Sequence, residues 1–352
     1  MSNKILFIAP SNSIHSIKWI ENCIDKKVEI YWVSFYKKDK LLDKLKKSIN
    51  YIEISTINPF SAYLKLIKLF KKNKFNIVHL HYIGRMTYLL FFIKIKKLII
   101  SPWGSDLKLI NPISIKGLIV KYILEKADLI TVDAIYMKNE IKRFSANINS
   151  IEQINFGTNT DFFTNYNLNN KEMRIISLRN LEPLYDIDTL INAVDILSKK
   201  YKIKNLSVDI FGQGSQEKAL TSLINNKGLN KIIKLRGRYE YRELPQLLNN
   251  YGIYISTSTT DAGLAASTSE AMACELTVIT ADNSENKFWM NDKCGFLFKT
   301  GDPDNLAYQI NRILNMSIQE KKVYQGNARN KIIKLNSVKS EMTKMKSLYG
   351  IY

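Results

Sequence analysis

Cysteine is scarce in this chain, with three in 352 residues at positions 23, 274 and 294. The number is odd and the spacings are wide, which excludes a disulfide framework and a CxxC metal site. Cys23, Cys274 and Cys294 read instead as small buried hydrophobes of a reducing compartment. Histidine is as rare, and His15, His79 and His81 are not at metal-ligand spacing. Long apolar runs are missing too. The longest apolar region, 88–100, is broken by Lys94, Lys96 and Lys97, short of the roughly 20 apolar residues that span a bilayer. The N-terminal run at 4–10 is too short for a signal peptide and ends at Pro10, so a soluble or peripheral protein is expected. No glycine follows that first run, which leads into Ser11-Asn-Ser-Ile-His15. The absence of GxGxxG disfavours a dinucleotide cofactor, and no cofactor or metal is expected.

A chain of 352 residues exceeds what one core usually organises, so two domains are expected. Hydrophobic residues at 45%, charged residues at 24% and aromatics at 11% suit an ordinary globular protein. The net charge of +20 is the unusual quantity and points to nucleic acid or to an anionic membrane surface. Of the 52 basic residues only nine are arginine. Sequence-specific readers of nucleic acid depend on arginine for its bidentate fork. The lysine excess therefore divides between compositional bias and membrane association, and no nucleic-acid partner is expected.

Short apolar runs alternate with helix-period segments, the pattern of βαβ units and a parallel sheet. Strands are expected at 5–9, 29–33, 77–80, 98–101, 129–132 and 150–154, with helices between them such as 14–24 and 62–72. Around 157–170 the pattern dissolves into Asn and Thr, as in a linker. It restarts with strands at 175–178, 206–211, 233–235, 254–256 and 277–280, and a helix at 188–199 opened by Asp188 as its cap. Two doubly wound halves place a ligand crevice at the carboxyl ends of their strands. In the helix at 63–72, Tyr63, Leu66, Ile67 and Phe70 share one face while Lys65, Lys68 and Lys72 flank another. That suits an anionic interface and equally an ordinary helix with its stripe on the sheet.

Two segments could carry chemistry. Phe211-Gly-Gln-Gly214 follows a strand directly, and its glycines allow backbone to approach a phosphate or another loop. The second runs from a strand through Ser256-Thr-Ser-Thr-Thr-Asp-Ala-Gly-Leu264 into a helix at 267–274. Small residues before a helix leave free amides for an anion. Glu270 either accepts hydrogen bonds from paired sugar hydroxyls or, as a first-turn acid, complements the helix dipole. Asp186-Ile-Asp188 and Asp302-Pro-Asp304 read as helix caps rather than metal ligands, with Pro303 at a first helical position. His81, at a strand end, is a candidate acceptor contact, and Asp106 is either a crevice residue or a cap before Leu107.

Strand, loop, Glu270-Ala-Met-Ala-Cys274, Thr277-Val-Ile279, Cys294-Gly-Phe-Leu-Phe298 and Gly301-Asp-Pro303 resemble the C-terminal half of the family 4 retaining glycosyltransferases of the GT-B fold. Leu80-His81, Ser101-Pro-Trp-Gly-Ser-Asp106, Ala127-Asp-Leu-Ile-Thr-Val132, Asn155-Phe-Gly157 with Asp161-Phe-Phe163, Ser177-Leu-Arg-Asn-Leu181 with Asp188-Thr-Leu190, Phe211-Gly-Gln-Gly214 and Gly237 match in the same order. The resemblance implies an α/β protein of two facing Rossmann-like, doubly wound domains. Residues 1–160 would bind the acceptor and 165–330 the nucleotide sugar, with 338–352 a helix packing back on the first domain. It implies Glu270 at the donor ribose and Arg179 at the donor diphosphate, a task its fork suits. The turn of Gly263, Leu264, Ala265 and Ala266 would cradle donor sugar and phosphate, and Gly214 would lie near the nucleotide.

Several positions depart from the family pattern. Ala262 stands where a first glutamate is usual, with Asp261 one residue away as its possible substitute. Tyr185 replaces a lysine, Trp103 a histidine, and Glu275 and Thr277 a Gly and a Pro. His81, Trp103 and Asp106 form the expected acceptor side. The implied reaction is retaining transfer of a hexose-type sugar from a nucleoside-diphosphate sugar to a saccharide, lipid-linked or protein-linked glycan. It would serve bacterial surface glycan synthesis in the cytoplasm, with an anionic membrane surface as a further partner. The alternative is a degenerate subunit that binds nucleotide or acceptor and supports a partner enzyme.

Overall fold

The computed structural model describes all residues except 1–2, 37–44, 46, 56, 85–86, 91–92, 104, 109, 135, 145–146, 149, 167–172, 204, 262 and 352. The chain divides into two compact units, one of residues 1–156 with 341–352 and one of residues 157–340.

The first unit contains β1 (Asn3–Ile8), α1 (Ile14–Asn22), β2 (Val28–Ser34), β3 (Asn50–Glu53), α2 (Pro59–Lys72), β4 (Ile77–His81), β5 (Leu98–Ser101), α3 (Ser105–Lys108), α4 (Ile115–Lys126), β6 (Leu129–Val132), α5 (Tyr136–Lys142) and β7 (Ile151–Gln153). The second contains β8 (Arg174–Leu178), α6 (Ile187–Lys199), β9 (Ser207–Phe211), α7 (Glu217–Asn226), β10 (Ile233–Gly237), α8 (Leu244–Leu248), β11 (Ile253–Ser256), α9 (Ala266–Ala273), β12 (Thr277–Ala281), α10 (Asn286–Trp289), β13 (Phe296–Phe298), α11 (Pro303–Leu314) and α12 (Ile318–Asn336). A last helix, α13 (Val338–Leu348), belongs to the first unit from Glu341 onward.

Each unit is a doubly wound α/β layer structure. The sheet orders are β3-β2-β1-β4-β5-β6-β7 and β10-β9-β8-β11-β12-β13, and the pairs run parallel. Helices on both faces bury the central strands completely, as in β4, β5, β6, β11 and β12, which is why they read as continuous apolar runs. The edge strand β3 is half exposed and has no such run, so sequence reasoning missed it. It also missed β13, only three residues long. In both sheets the winding reverses direction once, at β1/β4 and at β8/β11, where this architecture places its ligands.

Local chemistry sets the helix starts. Asn58 and Asp302 cap α2 and α11 by accepting from Ser61 N–H (3.1 Å) and Asn305 N–H (2.9 Å), each with proline at the next position. Helix α6 begins one residue earlier than expected. Its N-cap is Asp186, in the left-handed region at φ 47°, and Asp188 lies inside the first turn. The side chain of Asp186 accepts from the Thr189 hydroxyl at 2.7 Å. Helix α2 buries Ala62 and Leu66, with Tyr63 and Phe70 packed at the core margin. That is the ordinary amphipathic arrangement, and Lys65, Lys68, Lys71 and Lys72 are exposed. Among the described residues no helix is long and apolar enough to cross a membrane. The three cysteines are buried thiols that form no disulfide.

The end of the chain is tied into the first unit by polar contacts. The fully buried Glu341 accepts from Asn155 N–H at 2.7 Å and from Lys344 Nζ at 2.6 Å. Lys97 Nζ donates to Leu348 O at 2.8 Å, and Asn3 Nδ2 to Tyr349 O at 2.9 Å.

Candidate functional site

In the second unit the reversal point is occupied by Arg179, directly after β8, and by Ser258 and Asp261, after β11. Arg179 Nε donates to Ser258 Oγ at 2.9 Å and its Nη2 to the same oxygen at 2.5 Å. Nη2 also forms an ion pair with Asp261 Oδ1, and the guanidinium lies 4.9 Å from the Tyr185 ring centroid. Arg179 and Asp261 are 10% and 8% exposed, so the pair is shielded from water. The second oxygen of Asp261 is buried without a hydrogen-bond partner. Tyr185, where the family pattern has lysine, supplies a cation–π face instead of a second charge. Ala262 and Gly104 lie outside the described residues.

Next to this pair is the start of α9. Its cap residue, Ala265, has extended backbone and no side-chain cap, and Ser269 N–H is the first to bond back, to Ala265 O at 3.0 Å. The amides of Ala266, Ser267 and Thr268 therefore have no partner from the helix itself, which makes this end suited to an anion. Buried Tyr254 ties the two features together. Its hydroxyl meets Ser267 Oγ at 2.8 Å and Thr268 Oγ1 at 3.4 Å, and it lies within electrostatic reach of Arg179 and Asp261. Because α9 starts at Ala266, Glu270 falls in the second turn, and the first turn holds no acid. The dipole-complement reading of Glu270 is thereby lost. Burial, followed by the negative charge of Glu270, pushes the hydroxyls of Tyr239 and Tyr241 up to about 12. Glu270 is 8% exposed and lies within electrostatic reach of both rings.

Gly212 and Gly214 serve the approach of another loop rather than an open phosphate turn. A Cβ on Gly214 would lie 2.2 Å from Leu181 O, and one on Gly212, at φ 152°, 2.2 Å from Arg179 O. Leu181 N–H donates to Gln213 O at 3.0 Å and Gln216 N–H to Leu181 O at 2.9 Å. Glu182 accepts from Ser215 N–H and Oγ at 2.9 and 2.5 Å. The glycines thus fix the loop that carries Arg179. Glu275, where the family has glycine, keeps the left-handed backbone at φ 58° that ends α9.

In the first unit His81 lies at the end of β4, 1% exposed, with Nε2 3.3 Å from His79 Nδ1. It lines a small pocket together with Trp19, Ser101, Trp103, Thr131, Asp133 and Phe156. Burial lowers the His81 ring to about 3 and holds His79 well below the usual imidazole range. Trp103 Nε1 and His81 Nδ1 are buried atoms without hydrogen-bond partners. Asp106 is turned inward: its carboxylate accepts from the amides of Ile83 (2.8 Å), Trp103 (3.0 Å) and Leu107 (3.1 Å). Burial raises its pKa, partly offset by those amides. It ties two loops together and is not presented to a ligand, a correction to the crevice reading.

Comparison with known proteins agrees with this fold. The family model described as glycosyl transferases group 1 matches residues 158–331, and that described as glycosyl transferase 4-like matches residues 4–134. The chain belongs to the GT4-like, group 1 glycosyltransferases. It is 25% identical over 236 residues to the poly(ribitol-phosphate) α-N-acetylglucosaminyltransferase of Staphylococcus aureus, covering 65% of this chain and 46% of that one. It is 30% identical over 137 residues to the GtfA subunit of the UDP-N-acetylglucosamine–peptide N-acetylglucosaminyltransferase of Streptococcus agalactiae, covering 38% of this chain and 26% of that one. The matches thus span less than half of these relatives. Among solved structures, Anabaena HepE in complex with UDP superposes with a TM-score of 0.79 at 15% identity, covering 99% of this chain and 100% of that one. The fold is GT-B.

Ser258, Tyr239, Tyr241 and Tyr254 escaped sequence reasoning. A serine in a run of serines and threonines carries no signal, and tyrosines in strand or turn segments read as packing. The Arg179–Asp261 pair makes a prediction. Removing Arg179 alone strands a buried carboxylate, so Arg179→Ala is expected to lose about 3 kcal/mol of stability. The double variant Arg179→Ala/Asp261→Ala should recover most of it in denaturant unfolding. Equal stability of the single variant and the wild type would show that the pair is not a buried unit.

Proposed function

We propose that this protein transfers a sugar from a nucleoside-diphosphate sugar to a hydroxyl of a saccharide, lipid-linked or protein-linked glycan, with retention of anomeric configuration, in bacterial surface glycan synthesis. One observation carries the reading: a permanent cation, Arg179, stands at the β8/β11 reversal beside the uncapped N-terminus of α9. Together they form a ready cradle for a diphosphate. UDP is the favoured nucleotide because a relative is named for UDP-N-acetylglucosamine and a structural neighbour holds UDP.

In the proposed reaction the bond from the anomeric carbon to the diphosphate oxygen breaks and a bond to the acceptor oxygen forms on the same face. The acceptor proton passes to the departing phosphate. Arg179 and the amides of Ala266, Ser267 and Thr268 stabilise the charge that develops on the leaving group, and Glu270 holds the ribose hydroxyls. Asp261 accepts from a donor-sugar hydroxyl in the role of the family's first glutamate, a reading supported by its buried, unpartnered second oxygen. Positioning supplies the remainder of the rate enhancement. The pocket around His81 and Trp103 takes the acceptor.

The second reading is a nucleotide-binding subunit without turnover. It is favoured by one observation: Arg179 is already neutralised by Asp261, and Tyr185 brings no further charge. The charge of +20 and the exposed lysines of α2 support work on the inner face of the cell membrane.

A thermal-shift and hydrolysis screen against UDP-, GDP-, ADP- and CMP-sugars is expected to single out UDP-sugars. Glu270→Gln should weaken UDP binding roughly tenfold at unchanged melting temperature. Binding without hydrolysis or transfer across the panel would favour the subunit, and a Glu270→Gln variant that binds UDP like the wild type would remove the ribose assignment. Neutralising Lys65, Lys68, Lys71 and Lys72 should reduce sedimentation with anionic liposomes; unchanged sedimentation would remove the membrane clause.

A further inference from the structure

Two of the three histidines, His79 and His81, are buried side by side on β4, and a neutral imidazole has one nitrogen that donates and one that accepts. Which nitrogen does which is set by where the Tyr349 proton goes. The indole N–H of Trp19 can only donate, and its partner is the Tyr349 hydroxyl oxygen at 3.4 Å. The proton of Tyr349 then goes to the strongest acceptor in reach, His79 Nδ1 at 2.5 Å. The neighbouring thiol of Cys23 is a weak acceptor. With Nδ1 accepting, His79 carries its proton on Nε2 and donates to Ser101 Oγ at 2.6 Å, which is bonded in turn to Thr131 Oγ1. His81 Nε2 lies 3.3 Å from His79 Nδ1, whose lone pair Tyr349 already engages; a second lone pair facing it would be repelled, so Nε2 is the nitrogen of His81 that bears the proton. What remains on His81 is Nδ1, a lone pair buried in a residue that lines the pocket and without a hydrogen-bond partner.

We propose that His81 Nδ1 accepts a hydrogen bond from one uncharged hydroxyl entering this pocket, and that Tyr349, through His79, is the positioning residue that fixes His81 in that tautomer. The inference rests on the reading that the first unit receives a hydroxyl-bearing acceptor, and it adds which atom meets the hydroxyl and what sets its state. The rings of Trp19, Trp103 and Phe156 supply faces for the apolar side of a sugar, and Trp103 Nε1 offers an N–H to a second substrate oxygen. A bare lone pair beside aromatic rings and Asp133 admits an O–H and rejects an anion, so the pocket takes one hydroxyl of a neutral polyol or saccharide and excludes phosphate. Because the ring stays neutral, it orients the hydroxyl without removing its proton.

The test uses full-length protein labelled with ¹⁵N-histidine, in which only three imidazoles are visible. Long-range ¹H–¹⁵N correlation should show His79 and His81 protonated on Nε2 alone. Titration with methyl glucoside should move the His81 Nδ1 resonance, whereas inorganic phosphate should leave it in place. In Tyr349→Phe the His79 and His81 tautomers should redistribute and methyl glucoside should bind roughly tenfold more weakly, with UDP affinity unchanged. A wild-type His81 protonated on Nδ1 overturns the assignment even if Tyr349→Phe does not fold. A Tyr349→Phe spectrum identical to wild type overturns the positioning role. If no nucleotide sugar is turned over, the transferase reading fails, while the wild-type tautomers and the glucoside titration still decide this inference.

Discussion

Parallel pairing throughout both sheets is the constraint from which the rest follows. Parallel neighbours cannot be joined by a tight turn, so each strand must hand the chain to a crossover before the next one starts. The segments that leave the strands therefore collect along one edge of each sheet. Where the winding reverses, neighbouring loops depart in opposite directions and leave a space that side chains can enter. Arg179, Ser258 and Asp261 stand at that point in the second unit because β8 and β11 are neighbours there, although 79 residues separate Arg179 from Ser258. Gly212 and Gly214 then hold the Arg179 loop against β9, a contact that no larger residue allows.

Departures from the family pattern acquire physical meaning in this setting. Tyr185 places a ring under the Arg179 guanidinium where the family pattern has a lysine. Asp261 neutralises that cation, and in the proposed donor site a diphosphate would have to compete with it. Glu275 keeps the left-handed turn after α9 without glycine's conformational freedom, and its carboxylate accepts from Asn165 Nδ2 at 3.0 Å.

Much of this was legible in the sequence, and what was not has identifiable causes. The buried strands declared themselves because strands covered on both faces must be apolar along their length, whereas β3, on an edge, had no reason to be. The importance of Arg179 and Glu270 came from ordered motifs, while their neighbours Ser258, Tyr239 and Tyr241 sit in segments that the same motifs leave unspecified. Asp106 passes for a crevice residue in sequence alone because the sequence shows the residue and not the three amides that surround it. The chain of Trp19, Tyr349, His79 and Ser101 was beyond reach of any local pattern, since Tyr349 meets His79 across 270 positions.

The central claim is that the reversal point of the second unit binds the nucleotide. Hydrogen exchange with and without UDP measures it most directly, because the amides said to cradle the diphosphate are themselves the probes. UDP should slow exchange within 177–182 and 263–270 and leave the amides of the first-unit pocket, at 101–103 and 131–133, unchanged. Unaltered exchange in both second-unit segments under saturating UDP, or protection confined to the first unit, would contradict the account.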